Sequence, residues 1–169
     1  MTVKYPVTAE RVTMYDAIDA AALPAQTVKA AGYVNGQWPS YAAIVQRFPQ
    51  AAVHAIDVFG TAWTQASILD YEEGNVETYK NPDMVRAFVT GRNEFRPETA
   101  CIYCNTDDLP DIEDYLAGLW HVNWVANWGD NGTVGESLTG TRTIAGNLIV
   151  ATQLQNTEGY DMSDSLGSW

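Results

Sequence analysis

Short apolar segments alternate with amphipathic ones along this chain, and this alternation constrains the fold more than any other feature. Strands are predicted at 12–15, 27–33, 53–58, 67–69, 101–104, 122–128 and 147–155. Helices are predicted at 41–48, 82–95 and 108–119, and Ser40 and Asn81 precede the first two as N-caps. Strands that alternate with helices of this length indicate βαβ units and a largely parallel sheet.

Most of the predicted strands end at or next to a polar or aromatic residue that could take part in catalysis or binding. These residues are Asp16, Asp70 with Glu72, Asn105, Trp128 and Gln153. The carboxyl ends of parallel strands converge on the ligand site in α/β architectures, and so many contributing ends favour a closed barrel. Such barrels usually need about 200 residues or more, so a chain of 169 residues must have short or missing helices. We therefore predict an α/β fold over 1–169, a single compact, modified (β/α) TIM-type barrel domain with reduced helices.

Asp70 and Glu72 follow a short apolar run that ends at Leu69, and Gly74 follows two residues later. Side chains two apart on a strand project to the same side, so we expect the two carboxyls to be neighbours. Two neighbouring acids do not both ionise freely, and one raised and one depressed pKa are expected, as a general acid with a partner carboxylate requires. The alternative is a solvated acidic turn, because further glutamates follow.

The charge balance excludes an ordinary binder of the nucleic-acid backbone. The formal net charge is −12, and the nine basic residues are scattered rather than gathered into a stripe. A hydrophobic content of 46% with 18% charged residues is typical of a globular protein. No apolar run approaches the length of a membrane span, and residues 1–6 lack the apolar region of a secretory signal. We expect neither a nucleic-acid nor a membrane partner.

Cys101 and Cys104 form a Cys-x-x-Cys pattern within a predicted strand. Residues three apart on a strand face opposite sides, which disfavours a disulfide and a shared metal, so buried structural thiols are expected. His54 and His121 are placed in strands, away from any cluster of metal ligands, and are interpreted as structural. No pattern indicates a metal site or a cofactor.

The tryptophans divide between core and surface roles. Trp124 shares a strand face with Val122 and Ala126, which predicts burial. Trp128 lies at the end of the same strand and is the better candidate for contact with a ligand. Trp38 precedes a proline and is interpreted as the anchor of a loop.

Five groups of residues, taken in order, resemble motifs of glycoside hydrolase family 25, the lysozyme-type muramidases with a modified (β/α) barrel. They are Met14-Tyr15-Asp16, Leu69-Asp70-Tyr71-Glu72, Ile102-Tyr103-Cys104-Asn105, Trp124-Val125-Ala126-Asn127-Trp128, and Thr152-Gln153-Leu154-Gln155 followed by Gly159-Tyr160-Asp161-Met162-Ser163. The similarity is greatest to short barrel domains of actinobacteria and their phages, and it covers nearly the whole chain.

The resemblance implies an acidic set formed by Asp16, Asp70, Glu72 and Asp161. In the family the glutamate of the Asp-x-Glu segment is the general acid, which here is Glu72. Asp70 would be its partner, either stabilising positive charge at the sugar or orienting the 2-acetamido group of the substrate. Retention of configuration is implied, with the acetamido group as an internal nucleophile, a known exception to the two-carboxylate scheme.

The resemblance further implies that four residues line the sugar subsites, since sugar faces stack on aromatic rings and hydroxyls need fixed polar partners. They are Tyr103, Asn105, Trp128 and Gln153. The implied substrate is peptidoglycan or another cell-surface glycan, cleaved at β-1,4 bonds next to N-acetylmuramic acid. The implied setting is a bacteriophage or an actinobacterium, in which a protein without a signal peptide is released by lysis or carried on a virion to the cell wall.

Alternatives to this interpretation stay open at the level of sequence. Asp16 could cap a helix at 17–22, and Asp161 could be a turn residue. Tyr103 and Asn105 could be a buried tyrosine and a hydrogen-bonded asparagine without a role in binding. The whole chain could be a virion structural or cell-surface-binding protein with weak or no turnover, which contacts other virion proteins. A third possibility is an open-sheet enzyme unrelated to glycans.

Overall fold

The computed structural model describes residues 10–75, 77–96, 100–128 and 134–169. Eight strands close into a barrel in chain order: β1 (Arg11–Asp16), β2 (Lys29–Tyr33), β3 (Ala52–Asp57), β4 (Ile68–Tyr71), β5 (Cys101–Asn105), β6 (Val122–Ala126), β7 (Ile149–Asn156) and β8 (Asp161–Leu166). Within the described ranges the α-helices are α1 (Tyr41–Arg47), α2 (Pro82–Phe95) and α3 (Leu109–Tyr115). The predicted α/β barrel with reduced helices is confirmed.

The direction of β8 distinguishes this barrel from one made of parallel strands alone. Strands β1 to β7 pair in parallel with their neighbours, whereas β8 is antiparallel to both β7 and β1. The first residue of β8 therefore lies at the same end of the barrel as the last residues of the other strands. An open-sheet fold, the third alternative above, is excluded by the closure.

Alternation of side chains along each strand builds one core inside the barrel and another between the sheet and the helices. In β5, Cys101 packs inside the barrel and Cys104 packs outside it, against the cluster that includes Phe88 of α2. Both cysteines are free and buried, as the spacing predicted. Trp124 lies inside the barrel and is 1% exposed, so its predicted burial is also confirmed.

Short or missing helices between the strands allow a chain of this length to close a barrel. No helix follows β3, and none is found among the described residues between β6 and β7. Helix α1 packs so closely on β2 that a Cβ added to Gly32 would lie only 2.9 Å from the Cα of Tyr41. The predicted helix at 108–119 is shorter than expected: α3 ends at Tyr115, and Gly118 has a positive φ of 82°. No helix of the described ranges is long and apolar enough to cross a membrane.

The two predicted helix caps differ in outcome. The side chain of Asn81 accepts a hydrogen bond from the Met84 N–H at 3.3 Å, as expected of an N-cap. Ser40 occupies the N-cap position of α1 as predicted, but its side chain makes no capping hydrogen bond. Its hydroxyl instead donates to the carbonyl oxygen of Ala17 at 2.6 Å and accepts from the N–H of Tyr33 at 3.2 Å. Ser40 thereby ties the β1–β2 connection to the end of β2.

The end of the barrel opposite the strand carboxyl ends is closed by Lys29, His54 and Trp169. The Trp169 ring stacks on His54 with centroids 4.3 Å apart, and Lys29 Nζ donates to the main-chain oxygens of Leu166 and Trp169 at 2.6 Å each. His54 lies in β3 as predicted, whereas His121 directly precedes β6 rather than lying in it. Both histidines are therefore remote from the strand ends that carry the acidic residues.

Candidate active site

Four carboxyl groups meet at the carboxyl end of the barrel. Asp16 is the last residue of β1 and Asp161 is the first residue of β8, and the two are directly paired across the antiparallel strands. Asp70 is the next-to-last residue of β4, and Glu72 follows that strand immediately. Because β8 runs against its neighbours, its first residue joins the acids at the ends of the parallel strands β1 and β4.

Two adjoining cavities connect these acids. Asp70 and Glu72 both line a cavity of about 350 Å³, which we call the main cleft. Asp16 and Asp161 line a neighbouring cavity of about 200 Å³, and Tyr33 lies on the wall of both. The expectation that Asp70 and Glu72 project to the same side agrees with their shared cavity. The structure thus brings all four acids predicted from the sequence to one region.

Asp16 and Asp70 are buried carboxyls with incomplete hydrogen bonding. They are 5% and 2% exposed, and in each the Oδ1 atom has no hydrogen-bond partner. Burial raises the pKa of Asp16 well above its usual range, and the charges of the neighbouring acids raise it further. The pKa of Asp70 is likewise raised well above its usual range, chiefly by burial and to a lesser extent by the charge of Glu72. Such uncompensated burial is costly to the fold and is characteristic of functional sites.

The helix-cap interpretation of Asp16 is wrong. The short 3₁₀ helix Ala20–Ala22 is capped by Asp19, whose carboxylate accepts a hydrogen bond from the Ala21 N–H at 2.9 Å. Capping of this helix therefore does not account for the burial of Asp16.

Glu72 and Asp161 are less enclosed, and both hold their protons more tightly than free carboxyls. Burial raises the pKa of Glu72. Burial also raises the pKa of Asp161 to about 6, although the Gln153 side chain and the Thr157 main chain favour its charged form. The expected split between Asp70 and Glu72 is not found, because burial raises the pKa of both. Burial thus favours the protonated form of all four carboxyls, which is the form in which a carboxyl can act as a general acid.

Tyr103 links this cluster to the interior of the barrel. Tyr103 on β5 is paired with Asp70 on the neighbouring strand β4. Its side chain is 9% exposed, and its hydroxyl donates a hydrogen bond to Oε1 of Gln153. Its ring meets Trp124 edge-on with centroids 4.8 Å apart. Burial, together with the nearby acids, raises the pKa of Tyr103 above its usual range. The hydroxyl thus stays protonated and holds Gln153 next to Asp161.

Asn105 and Trp128, the other two predicted sugar-binding residues, line a different cavity. It has a volume of about 370 Å³ and is also lined by Tyr79 and Asp108. Asn105 Nδ2 donates to Asp108 Oδ2 at 3.5 Å, and Trp128 is 49% exposed. The predicted set of substrate-binding residues is therefore divided between the acidic cluster and a cavity beside β5 and β6.

Sequence reasoning missed residues of the main cleft that lie on the β2 and β3 side. Tyr33 ends β2 in the same way that Asp16 ends β1, so the strand-end rule could have identified it. Trp38 and Phe59 lie on loops and also line the main cleft. The interpretation of Trp38 as a loop anchor is wrong, because its side chain is 57% exposed.

Among the described residues, no three His, Cys, Asp or Glu side chains are arranged to hold a metal ion. What this region offers is carboxyls that hold protons, a fixed tyrosine and amide, and exposed aromatic rings, which suits proton transfer to a neutral, polyhydroxylated substrate.

Comparison with known proteins identifies the fold. No protein-family model matches the sequence, and no curated protein matches it. The structure is similar to a glycosyl hydrolase 25 of Streptococcus pneumoniae, described as a virulence factor participating in host cell invasion, with a TM-score of 0.62 and 11% identity over 92% of this chain and 86% of that one. It is similar also to a family GH25 lysozyme from Aspergillus fumigatus, with a TM-score of 0.59 and 12% identity over 94% and 95% of the two chains. This chain therefore folds into the barrel seen in glycoside hydrolase family 25 structures.

Proposed function

We propose that this protein is a peptidoglycan glycoside hydrolase of the muramidase type, with Glu72 as the general acid. The observation that carries the proposal is the convergence of four carboxyls at the carboxyl end of the barrel, with raised pKa values in Asp16, Asp70, Glu72 and Asp161. A fold shared with a fungal lysozyme agrees with it. The proposed substrate is the β-1,4 bond between N-acetylmuramic acid and N-acetylglucosamine in the bacterial cell wall.

In the proposed reaction Glu72 donates its proton to the glycosidic oxygen as the C1–oxygen bond breaks. Positive charge then develops at C1 of the retained sugar, and the oxygen of its 2-acetamido group forms a bond to C1. Asp70 orients the acetamido group and stabilises the charge that develops on it. Water next attacks C1, gives a proton to the Glu72 carboxylate and displaces the acetamido oxygen, which restores the acid and retains the configuration.

The proposal is tested with purified actinobacterial peptidoglycan and an assay of new reducing ends. We expect wild type to release reducing ends and Glu72→Gln to lose at least about 100-fold in rate, the scale of general acid catalysis. Glu73→Gln is the matched control, because Glu73 is the adjacent residue and is exposed. No release by wild type, or equal rates in Glu72→Gln, contradicts the proposal.

Sedimentation of the cell walls after the same incubation distinguishes the alternative function. Retention of the protein on sedimented cell walls, without release of reducing ends, would support a glycan-binding virion or cell-surface protein built on the same barrel. In that case Glu72→Gln would bind as wild type does, since a neutral amide keeps the size and hydrogen-bonding capacity of the side chain.

A further inference from the structure

Exposed aromatic side chains are concentrated at the end of the barrel that carries the acids. Among the described residues, four Phe or Trp side chains are at least 40% exposed: Trp38, Phe59, Phe95 and Trp128. Trp38 and Phe59 line the main cleft with Asp70 and Glu72, and Trp128 lines the cavity beside β5 and β6. Large aromatic rings left in water at one end of a protein indicate a surface that contacts a ligand.

The loops that carry the two aromatic rings of the main cleft are fastened to each other. Asn35, next to the end of β2, donates from Nδ2 to Asp57 Oδ1 at 2.8 Å and accepts from the Val58 N–H at 3.0 Å. Asp57 is fully buried and also accepts from the main-chain N–H groups of Phe59 and Gly60 at 2.8 Å and 3.1 Å. One carboxylate thus organises both loops, so the rings are held by a fixed scaffold.

Gly36 brings the two loops into direct contact. Its φ is 88°, a conformation that favours glycine, and a Cβ at this position would lie 2.8 Å from Cγ2 of Val58. The loop after β2 therefore packs against the loop after β3, and the exposed Trp38 two residues later is presented by a rigid turn. Preorganised rings lose less conformational freedom on binding than mobile ones do.

Polar groups lie beside these rings in the same cavity. Gln37 and Asn75 line the main cleft together with Trp38 and Phe59, and Asn75 Nδ2 donates to the carbonyl oxygen of Asp70 at 3.3 Å. A sugar ring presents an apolar face of C–H groups and a rim of hydroxyl and acetamido groups. Aromatic rings and amides that line one cavity match both features, whereas a purely apolar ligand would leave the amides without a partner in the ligand.

We infer that Trp38 and Phe59 form a sugar-binding subsite that extends the main cleft away from Asp70 and Glu72. Its occupant is an N-acetylhexosamine ring of a β-1,4-linked glycan, several rings of which span the cleft. The ligand class rests on the proposed function, because the subsite is continuous with the acids proposed to cleave that glycan. A longer glycan therefore binds more tightly than a disaccharide, and the difference depends on Trp38.

The test is a binding measurement in the Glu72→Gln background, so that the ligand is not consumed. The probe is the β-1,4-linked N-acetylglucosamine pentamer, titrated calorimetrically into this variant with and without Trp38→Ala. We expect Trp38→Ala to weaken binding about tenfold, the scale of one lost aromatic contact, and Trp38→Phe to restore part of the affinity. Phe95→Ala is the control, because Phe95 is similarly exposed and does not line the main cleft.

The outcomes separate this inference from the proposed function. Loss of affinity in Trp38→Ala but not in Phe95→Ala supports the subsite, even if wild type releases no reducing ends and the enzymatic proposal fails. Equal affinity with and without Trp38, equal losses in both alanine variants, or no binding of the pentamer overturns the subsite. Thermal unfolding of each variant, expected within a few degrees of the parent for an exposed side chain, shows that a lost affinity is not lost folding.

Discussion

Asp161→Asn should stabilise this protein at neutral pH and lose that advantage in acid. The pKa of Asp161 is about 6 against an ordinary value of 3.8, chiefly because the carboxyl is buried. The folded state therefore holds this proton more tightly than the unfolded chain does. Its contribution to stability is fully present below about pH 3.8 and is lost as the pH rises through about 6. An asparagine carries no charge at any of these pH values.

The size of the effect follows from the same pKa. A displacement from 3.8 to about 6 corresponds to about 3 kcal/mol for a carboxylate fully shielded from water. Asp161 is only partly buried, so solvent screening reduces the expected gain in the free energy of unfolding to about 1–2 kcal/mol. Removing the charge also relieves the repulsion that raises the pKa of Asp16, which acts in the same direction.

Urea unfolding followed by tryptophan fluorescence measures this gain at about pH 7.5 and at about pH 3.5. We expect the free energy of unfolding of the Asp161→Asn variant to exceed that of wild type at the higher pH. At the lower pH the two values should differ by less than about 0.5 kcal/mol. Glu158→Gln is the control, since Glu158 is exposed in the same β7–β8 turn. A variant no more stable than wild type at neutral pH, or a gain independent of pH, refutes the account of the acidic cluster.

Two further substitutions test contacts that hold the barrel and its site. Tyr103→Phe leaves the buried Gln153 oxygen without its donor, so urea unfolding should show a loss of about 1–3 kcal/mol, and an unchanged stability would contradict the bond. Trp169→Ala exposes His54, whose pKa is lowered to about 4 by burial and then by Lys29. NMR titration of the imidazole should show that pKa rising toward 6.5, whereas a value still near 4 would show that Trp169 does not exclude water.

Seven of the eight strands and the acidic residues were accessible to sequence reasoning because both depend on local patterns. Runs such as Ile68–Tyr71 are short and apolar, and in a parallel arrangement their ends must meet. The four acids, Tyr103 and Gln153 follow from strand ends together with the family resemblance. Each of these features is specified within a few residues along the chain.

Contacts between distant residues could not be predicted in the same way. The Ser40 hydroxyl bonds to Ala17, far away in sequence, rather than to its own helix. The pKa values of Asp70 and Glu72 both rise because burial, a property of the whole fold, outweighs the simple competition between two charges. Trp38 lines the cleft because Asn35 and Asp57 join two loops, a contact without any signal in local sequence.

The most direct test of the account is the identity of the sugar at each new reducing end. Peptidoglycan digested by wild type and by Glu72→Gln is reduced with borohydride, and the fragments are analysed by mass spectrometry. We predict reduced N-acetylmuramic acid at the ends released by wild type and no such product from Glu72→Gln. Reduced N-acetylglucosamine, no new ends, or the same products from both proteins would contradict the assignment of a muramidase that uses Glu72 as its acid.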